Sequence, residues 1–119
     1  MVAPLISAII CTHNREEYLG AAIDSLLAQD IDNYEILVID NASTDSTKAI
    51  AQARVDDPAN NGLVRYFHES TLGLSVARNR GAQEARGEIL AYLDDDAEAS
   101  VGWLGALLSA FKANERIAI

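Results

Sequence analysis

Four short apolar runs alternate with stretches of helical periodicity, and this alternation restricts the chain to a narrow set of folds. Residues 5–11, 34–39, 63–68 and 88–93 are apolar, rich in β-branched side chains and too short for helices, so each reads as a strand. Between the first two, Tyr18, Leu19, Ala22, Ile23, Leu26 and Leu27 repeat as one helical face within 15–28. A turn over 41–45 leads into a second helix, with Ser43 or Thr44 as its N-cap and an end near Arg54. A third helix is predicted over 74–86, with Ala77, Gly81 and Ala85 as a stripe of small residues and Gly87 as a left-handed C-terminal cap. A fourth spans 102–113, with Trp103, Leu104, Leu107, Leu108 and Phe111 on its apolar face, and Ile117 to Ile119 reads as the opening of a fifth strand. The order β-α-β-α-β-α-β-α-(β) predicts an α/β fold, a mostly parallel sheet with helices on both faces.

In such sheets ligands bind beyond the carboxyl ends of the strands. The segments at those ends are Thr12 to Asn14, Asp40-Asn41, Glu69 to Gly73, and Asp94 to Asp96. The last is the most unusual, because an apolar strand ends in three adjacent carboxylates. Such a group is costly unless water, hydrogen-bond donors or a cation offsets its charge. Strand alternation sends Asp94 and Asp96 to one side and Asp95 to the other. Mg²⁺ or Mn²⁺ takes oxygen ligands, usually one or two carboxylates plus substrate phosphates. The plainer reading is a solvated acidic turn before the next helix.

Composition narrows the partners. A chain of 119 residues is one domain, large enough for a single core. Its net charge of −9 argues against a nucleic-acid surface, which needs clustered Lys and Arg, but not against a nucleotide ligand. Cys11 is the only cysteine, so an internal disulfide is impossible and a zinc site is not expected. No apolar run approaches the roughly 20 residues that span a bilayer, and the first eight residues lack signal-peptide character. A cytoplasmic location is expected, with any membrane association arising from parts outside this sequence.

A dinucleotide-binding G-x-G-x-x-G is absent after the first strand, where Cys11-Thr-His-Asn-Arg-Glu16 stands, and no P-loop occurs. Phosphates must therefore be held by metal and side chains. Ile6-Ser-Ala-Ile-Ile-Cys-Thr-His-Asn14 resembles the opening strand and loop of the family 2 glycosyltransferases, which have the GT-A fold. Glu35-Ile-Leu-Val-Ile-Asp-Asn-Ala-Ser-Thr-Asp45 resembles that family's second strand and its D-[DN]-x-S-x-D turn. Gly73-Leu-Ser-Val-Ala-Arg-Asn-Arg-Gly81, followed by Ala85-Arg-Gly-Glu88, is similar to its G-x-x-x-A-R-N-x-G…A-x-G-[ED] segment. Tyr92-Leu-Asp-Asp-Asp96 resembles the D-x-D motif, and Trp103-Leu104 the hydrophobic pair opening the next helix. The four motifs occur in order over nearly the whole chain.

The resemblance implies a Rossmann-like domain of the nucleotide-diphospho-sugar transferase type. It places Thr12 and Asn14 near the nucleotide and makes Asp40 an acceptor for a base N–H or a ribose hydroxyl. It puts Asp95 against the ribose, Asp96 on a Mn²⁺ or Mg²⁺ ion at the diphosphate with Asp94 assisting, and Arg78 and Asn79 in the donor pocket. Asn41 stands at the second acidic position of the D-[DN] turn, where an amide can donate as well as accept. Each residue has a structural alternative: Asp40-Asn41 as a simple turn, Asp45 as a helix-terminus charge, Arg78 as a surface arginine, Cys11 as a small core residue.

The implied activity is inverting, metal-assisted transfer of a sugar from a nucleoside diphosphate sugar to an acceptor hydroxyl. That reaction needs a general base, which the family takes from the second half of the domain. Residues 1–119 are therefore expected to be the donor-binding half, ending after the fourth or fifth strand, without acceptor site, base or turnover of its own. Apolar surface left by the other half would favour self-association. Two other classes compete. A phosphoryl-accepting receiver-like module needs an acidic pair after the first strand and an Asp after the third, where Cys11-Thr12 and His68-Glu69 stand. A non-enzymatic nucleotide- or Mg²⁺-binding module needs no catalytic residues.

Overall fold

The computed structural model describes residues 5–113. The chain runs β1 (Ile6–Thr12), α1 (Leu19–Leu27), β2 (Tyr34–Asn41), α2 (Thr47–Asp56), a 3-10 turn (Pro58–Asn60), β3 (Val64–Glu69), α3 (Leu74–Glu84), β4 (Ile89–Tyr92) and α4 (Trp103–Ala113). The suggested fifth strand at 117–119 lies outside the described residues. All strand pairs are parallel, in the order β3-β2-β1-β4. Every residue of β2 is buried, as is β1 apart from a partly buried Cys11, which is why both read as nearly unbroken apolar runs.

Alternation divides the strands between two cores. Ile6, Ala8 and Ile10 of β1 and Ile36 and Val38 of β2 join Leu19, Ala22, Ile23 and Leu26 of α1, Ala51 of α2 and Leu104 of α4. On the other face Ile9, Leu37 and Ile39 meet Ala77 of α3. Gly81 is what lets α3 lie so close: a Cβ there would stand 2.8 Å from Ile9 Cγ2 and 3.4 Å from Ile39 Cγ1.

Several local expectations give way to tertiary contacts. Gly87 is not a left-handed cap; α3 stops at Glu84 and Ala85 is extended (φ −65°, ψ 139°). Gly87 instead presses on β1, where a Cβ would come within 2.7 Å of Ser7 N. Nor do Ser43 and Thr44 cap α2, which begins at Thr47 with its amide held by Asp45 Oδ1 at 2.9 Å. Helix α1 starts at Leu19 rather than Arg15, since 15–18 form a turn tied to the β2–α2 loop.

Two buried polar side chains pin the periphery. Glu35 accepts from Ser7 Oγ (2.6 Å), Arg65 Nη1 (2.7 Å) and the Arg86 amide (2.7 Å), and Ser7 Oγ in turn accepts from the Gly87 amide (2.8 Å). Burial pushes the Glu35 carboxyl up, but these hydrogen bonds and the Arg65 charge outweigh it and hold the group below its ordinary value. Gln29 donates to the Ser25 and Ser100 carbonyls and accepts from the Leu104 amide, fastening α4 and the segment before it to the end of α1.

Candidate functional site

With strand order 3-2-1-4, the chain turns back across the sheet between β1 and β4, and the crevice beyond their carboxyl ends is where such sheets bind ligands. A cavity of about 560 Å³ opens there. Its floor is Cys11 and Thr12; one wall is Tyr92 to Asp96, the other Leu72, Gly73, Leu74, Ala77 and Arg78, with His13, Arg15 and Asn41 completing it.

The acidic triplet lies past the end of β4, in the turn that follows. Asp94 and Asp96 are exposed, whereas Asp95 is half-buried beneath them. Burial raises the Asp95 carboxyl above its ordinary value, opposed by the Thr12 hydroxyl, the Arg15 charge and the His13 amide, while Asp96 pushes it further up. Arg15 Nε lies 3.8 Å from Asp95 Oδ1. Among the described residues Asp94 and Asp96 form no ion pair, and no three His, Cys, Asp or Glu side chains converge as a ready-made metal cage. Two exposed carboxylates at a cavity rim fit a hard cation that takes the rest of its oxygen ligands from phosphate and water. The Thr12 hydroxyl is buried beside the Asp95 carboxyl and makes no hydrogen bond of normal geometry among the described residues.

Thr12, Asn41, Arg78, Asp94, Asp95 and Asp96 are thus brought together around one cavity, and Asn14, Asp40 and Asn79 lie outside its lining. Asn14, in the left-handed region (φ 50°), joins two loops: its amide donates to Ser43 Oγ (2.9 Å), and its Oδ1 accepts from the Thr44 amide (2.7 Å). Asp40 is buried beneath the loops, accepting from Tyr66 Oη and the Ser43 amide (3.1 Å). Asn79 is exposed on α3. The Asn41 side chain is buried and bonded to the β3–α3 loop.

Sequence reasoning missed Arg15, read as the first residue of a helix, and the exposed Leu72 and Leu74 on the rim (64% and 58% exposed). An Arg one residue after the Thr-His-Asn loop, beyond the carboxyl end of a strand, is the signal that was present. The Tyr92 hydroxyl donates to the Arg78 carbonyl at 2.9 Å and ties the two walls. His13 Nδ1 lies 2.6 Å from the Asn41 carbonyl, which can only accept, so Nδ1 carries the proton. Burial pushes the Cys11 thiol up to about 11, with Arg78 opposing and Asp95 reinforcing, so it is not a thiolate at neutral pH.

Comparison with known proteins gives this geometry a family. The chain is 37% identical over 114 residues to the GalNAc(5)-diNAcBac-PP-undecaprenol beta-1,3-glucosyltransferase of Campylobacter jejuni, covering 94% of this chain and 35% of that protein. Its fold superposes on S. aureus TarS 1–349 in complex with UDP-GlcNAc with a TM-score of 0.82, at 25% identity over 93% of this chain and 32% of TarS. The mannosyltransferase PcManGT of Pyrobaculum calidifontis, in complex with GDP-Man and Mn²⁺, has the same TM-score of 0.82 at 24% identity, over 92% of this chain and 33% of that one, a likeness of fold alone. The chain spans between 14% and 35% of the curated relatives it matches first. The four-stranded parallel sheet is that of GT-A glycosyltransferases. The family model for glycosyl transferase family 2 matches residues 7–119, and the chain belongs to that family.

Proposed function

We propose that residues 1–119 form the donor-binding part of an inverting glycosyltransferase, and that the cavity between β1 and β4 receives a nucleoside diphosphate sugar. The observation that carries this is the meeting of Asp94, Asp95 and Asp96 with Thr12, Arg15 and Arg78 around one cavity at the strand-order reversal. Family membership and the likeness to a UDP-GlcNAc complex support the ligand class.

The half-buried Asp95 and the Thr12 hydroxyl beside it suit the ribose hydroxyls. Arg78 and Arg15 offset negative charge at the mouth. Asp94 and Asp96 would hold Mn²⁺ or Mg²⁺, which when bound supplies a positive charge against the leaving diphosphate. Asp40, Asn14 and Asn79, all near the cavity in sequence motifs but outside its lining, are proposed to support the nucleotide site rather than to close it. A hydroxyl acceptor has a high pKa, so in-line attack requires a base on the far face of the sugar. The base and the acceptor site are proposed to belong to the length of relatives that this chain does not span, and this part alone to lack turnover. Apolar surface left by that remainder is the proposed route to self-association, and a cytoplasmic location is proposed, with any membrane association arising from parts outside this sequence.

Titrating the protein with uridine, thymidine and guanosine diphosphates, with and without Mn²⁺, tests the reading. One of them should bind with Mn²⁺ and at least tenfold more weakly without it, and Asp96→Asn should abolish the metal effect. Absence of binding by all three, with phosphorylation of an Asp by a small phosphodonor, would establish the receiver-like reading instead.

A further inference from the structure

We propose that Asn41 is a positioning residue that latches the β3–α3 loop and so presets the apolar wall of the cavity, without reading the base. The proposal rests on the donor-site reading for its consequence, though not for its geometry. Asn41 ends β2 beside Glu69, its register partner at the end of β3. Its Nδ2 donates to the Glu69 carbonyl (3.2 Å) and to the Thr71 carbonyl (2.8 Å). Its Oδ1 accepts from the Gly73 amide at 2.9 Å. Both donors of the carboxamide are therefore committed to backbone, as is one of its two acceptor sites. Little is left with which to discriminate a base.

What the latch holds is specific. Gly73 adopts φ 151° and ψ 132°, a conformation side-chain-bearing residues rarely take, between Leu72 and Leu74 on the cavity rim. The Gly73 carbonyl accepts from the Ala77 amide at 3.0 Å, so the same link sets the first turn of α3, which carries Ala77 and Arg78 to the cavity. On the opposite side the Asn41 carbonyl accepts from His13 Nδ1, which fixes the β1–α1 loop. One residue thereby relates both sides of the cavity mouth. With the contacts this chain makes, an amide suits the position better than a carboxylate. A carboxylate could still accept from Gly73, but it would face the Glu69 and Thr71 carbonyls oxygen to oxygen at a buried site.

The test compares wild type, Asn41→Asp and Asn41→Ala by amide hydrogen exchange and by affinity for the three nucleoside diphosphates with Mn²⁺. Both variants should lose at least tenfold of the protection at residues 71–74 while Ile36 to Ile39 keep theirs. Their affinity should fall about fivefold for whichever nucleoside diphosphate wild type binds, with no change in the preferred base. Lowering the pH from 7 to 5 should restore protection in Asn41→Asp, because the introduced carboxyl regains a donor when protonated, and not in Asn41→Ala. His13, Asp40, His68, Glu69 and Arg80 surround this region in both variants, so the alanine variant subtracts any effect of pH on them. Unchanged protection at 71–74, or variants whose preferred base differs from that of wild type, overturns the latch. If wild type binds no nucleotide the donor-site reading fails, and the exchange data alone then decide the latch.

Discussion

Arg15 reaches from the loop after β1 to within 3.8 Å of Asp95 in the turn after β4, an ion pair across the crevice where the sheet reverses its order. The pair is half open to water, with Arg15 48% exposed and Asp95 15%. Pairs of that kind contribute only about 0–1 kcal/mol to stability. Arg15→Ala should therefore barely change the denaturation midpoint. It should nonetheless weaken nucleoside diphosphate binding roughly three- to tenfold, since removing one favourable charge contact costs about 1 kcal/mol. Calorimetric titration alongside urea unfolding separates the two effects, and a large loss of stability with unchanged affinity would contradict the assignment.

Glu35 lies on the opposite edge of the sheet and bears on stability alone. Its carboxylate satisfies three donors at a buried position, so Glu35→Gln should cost about 2 kcal/mol at pH 7. Because the folded-state value is held below the ordinary 4.5, the contribution is complete above that pH and is lost as pH falls through the lower folded value. The stability gap between wild type and variant should close as the pH falls below 4.5 and through the lower folded value. Urea titrations across that range check it; a gap that widens on acidification would show the sign to be wrong.

Two glycines rank by what stands opposite them. An added methyl at Gly81 meets Ile9 Cγ2, the tip of a side chain, whereas at Gly87 it meets the backbone of Ile6 and Ser7 at 2.8 and 2.7 Å. Overpacking of the first kind costs about 1–3 kcal/mol. Gly87→Ala should exceed Gly81→Ala, because strand backbone cannot yield without breaking the β1–β4 ladder. Chemical denaturation of both variants gives the order directly.

Cys11 lines the cavity yet should be inert. With its thiol pushed up to about 11, very little thiolate exists at pH 7.5, and alkylation by iodoacetamide should run at least tenfold slower than for a free thiol. Intact-mass measurement over time is sufficient; rapid modification in the folded protein would refute the buried-thiol description.

The sheet was legible because β1 and β2 are covered on both sides, which leaves uninterrupted apolar runs that only a parallel α/β arrangement accommodates. The site's edge followed from that arrangement; Asp95 does differ from its two neighbours in burial, but the triplet lies in a turn past β4, so strand alternation is not the cause. Side chains whose partners are remote in sequence were not legible. Gly87 looked like a helix terminator because its obstacle, Ser7, is 80 positions away. Ser43 and Thr44 looked like helix caps, but the Asn14 side chain and amide take their hydrogen bonds. Local propensity describes what a residue prefers alone, and these residues answer to loops brought alongside by the sheet.

Because Ile6 registers against Ile89 as well as Tyr34, β1 gains its second neighbour only after β2 and β3 have been made. The nascent chain must therefore keep an almost wholly apolar segment shielded until β4 has emerged, a delay of the kind that exposes long-range parallel pairing to chaperones and to aggregation.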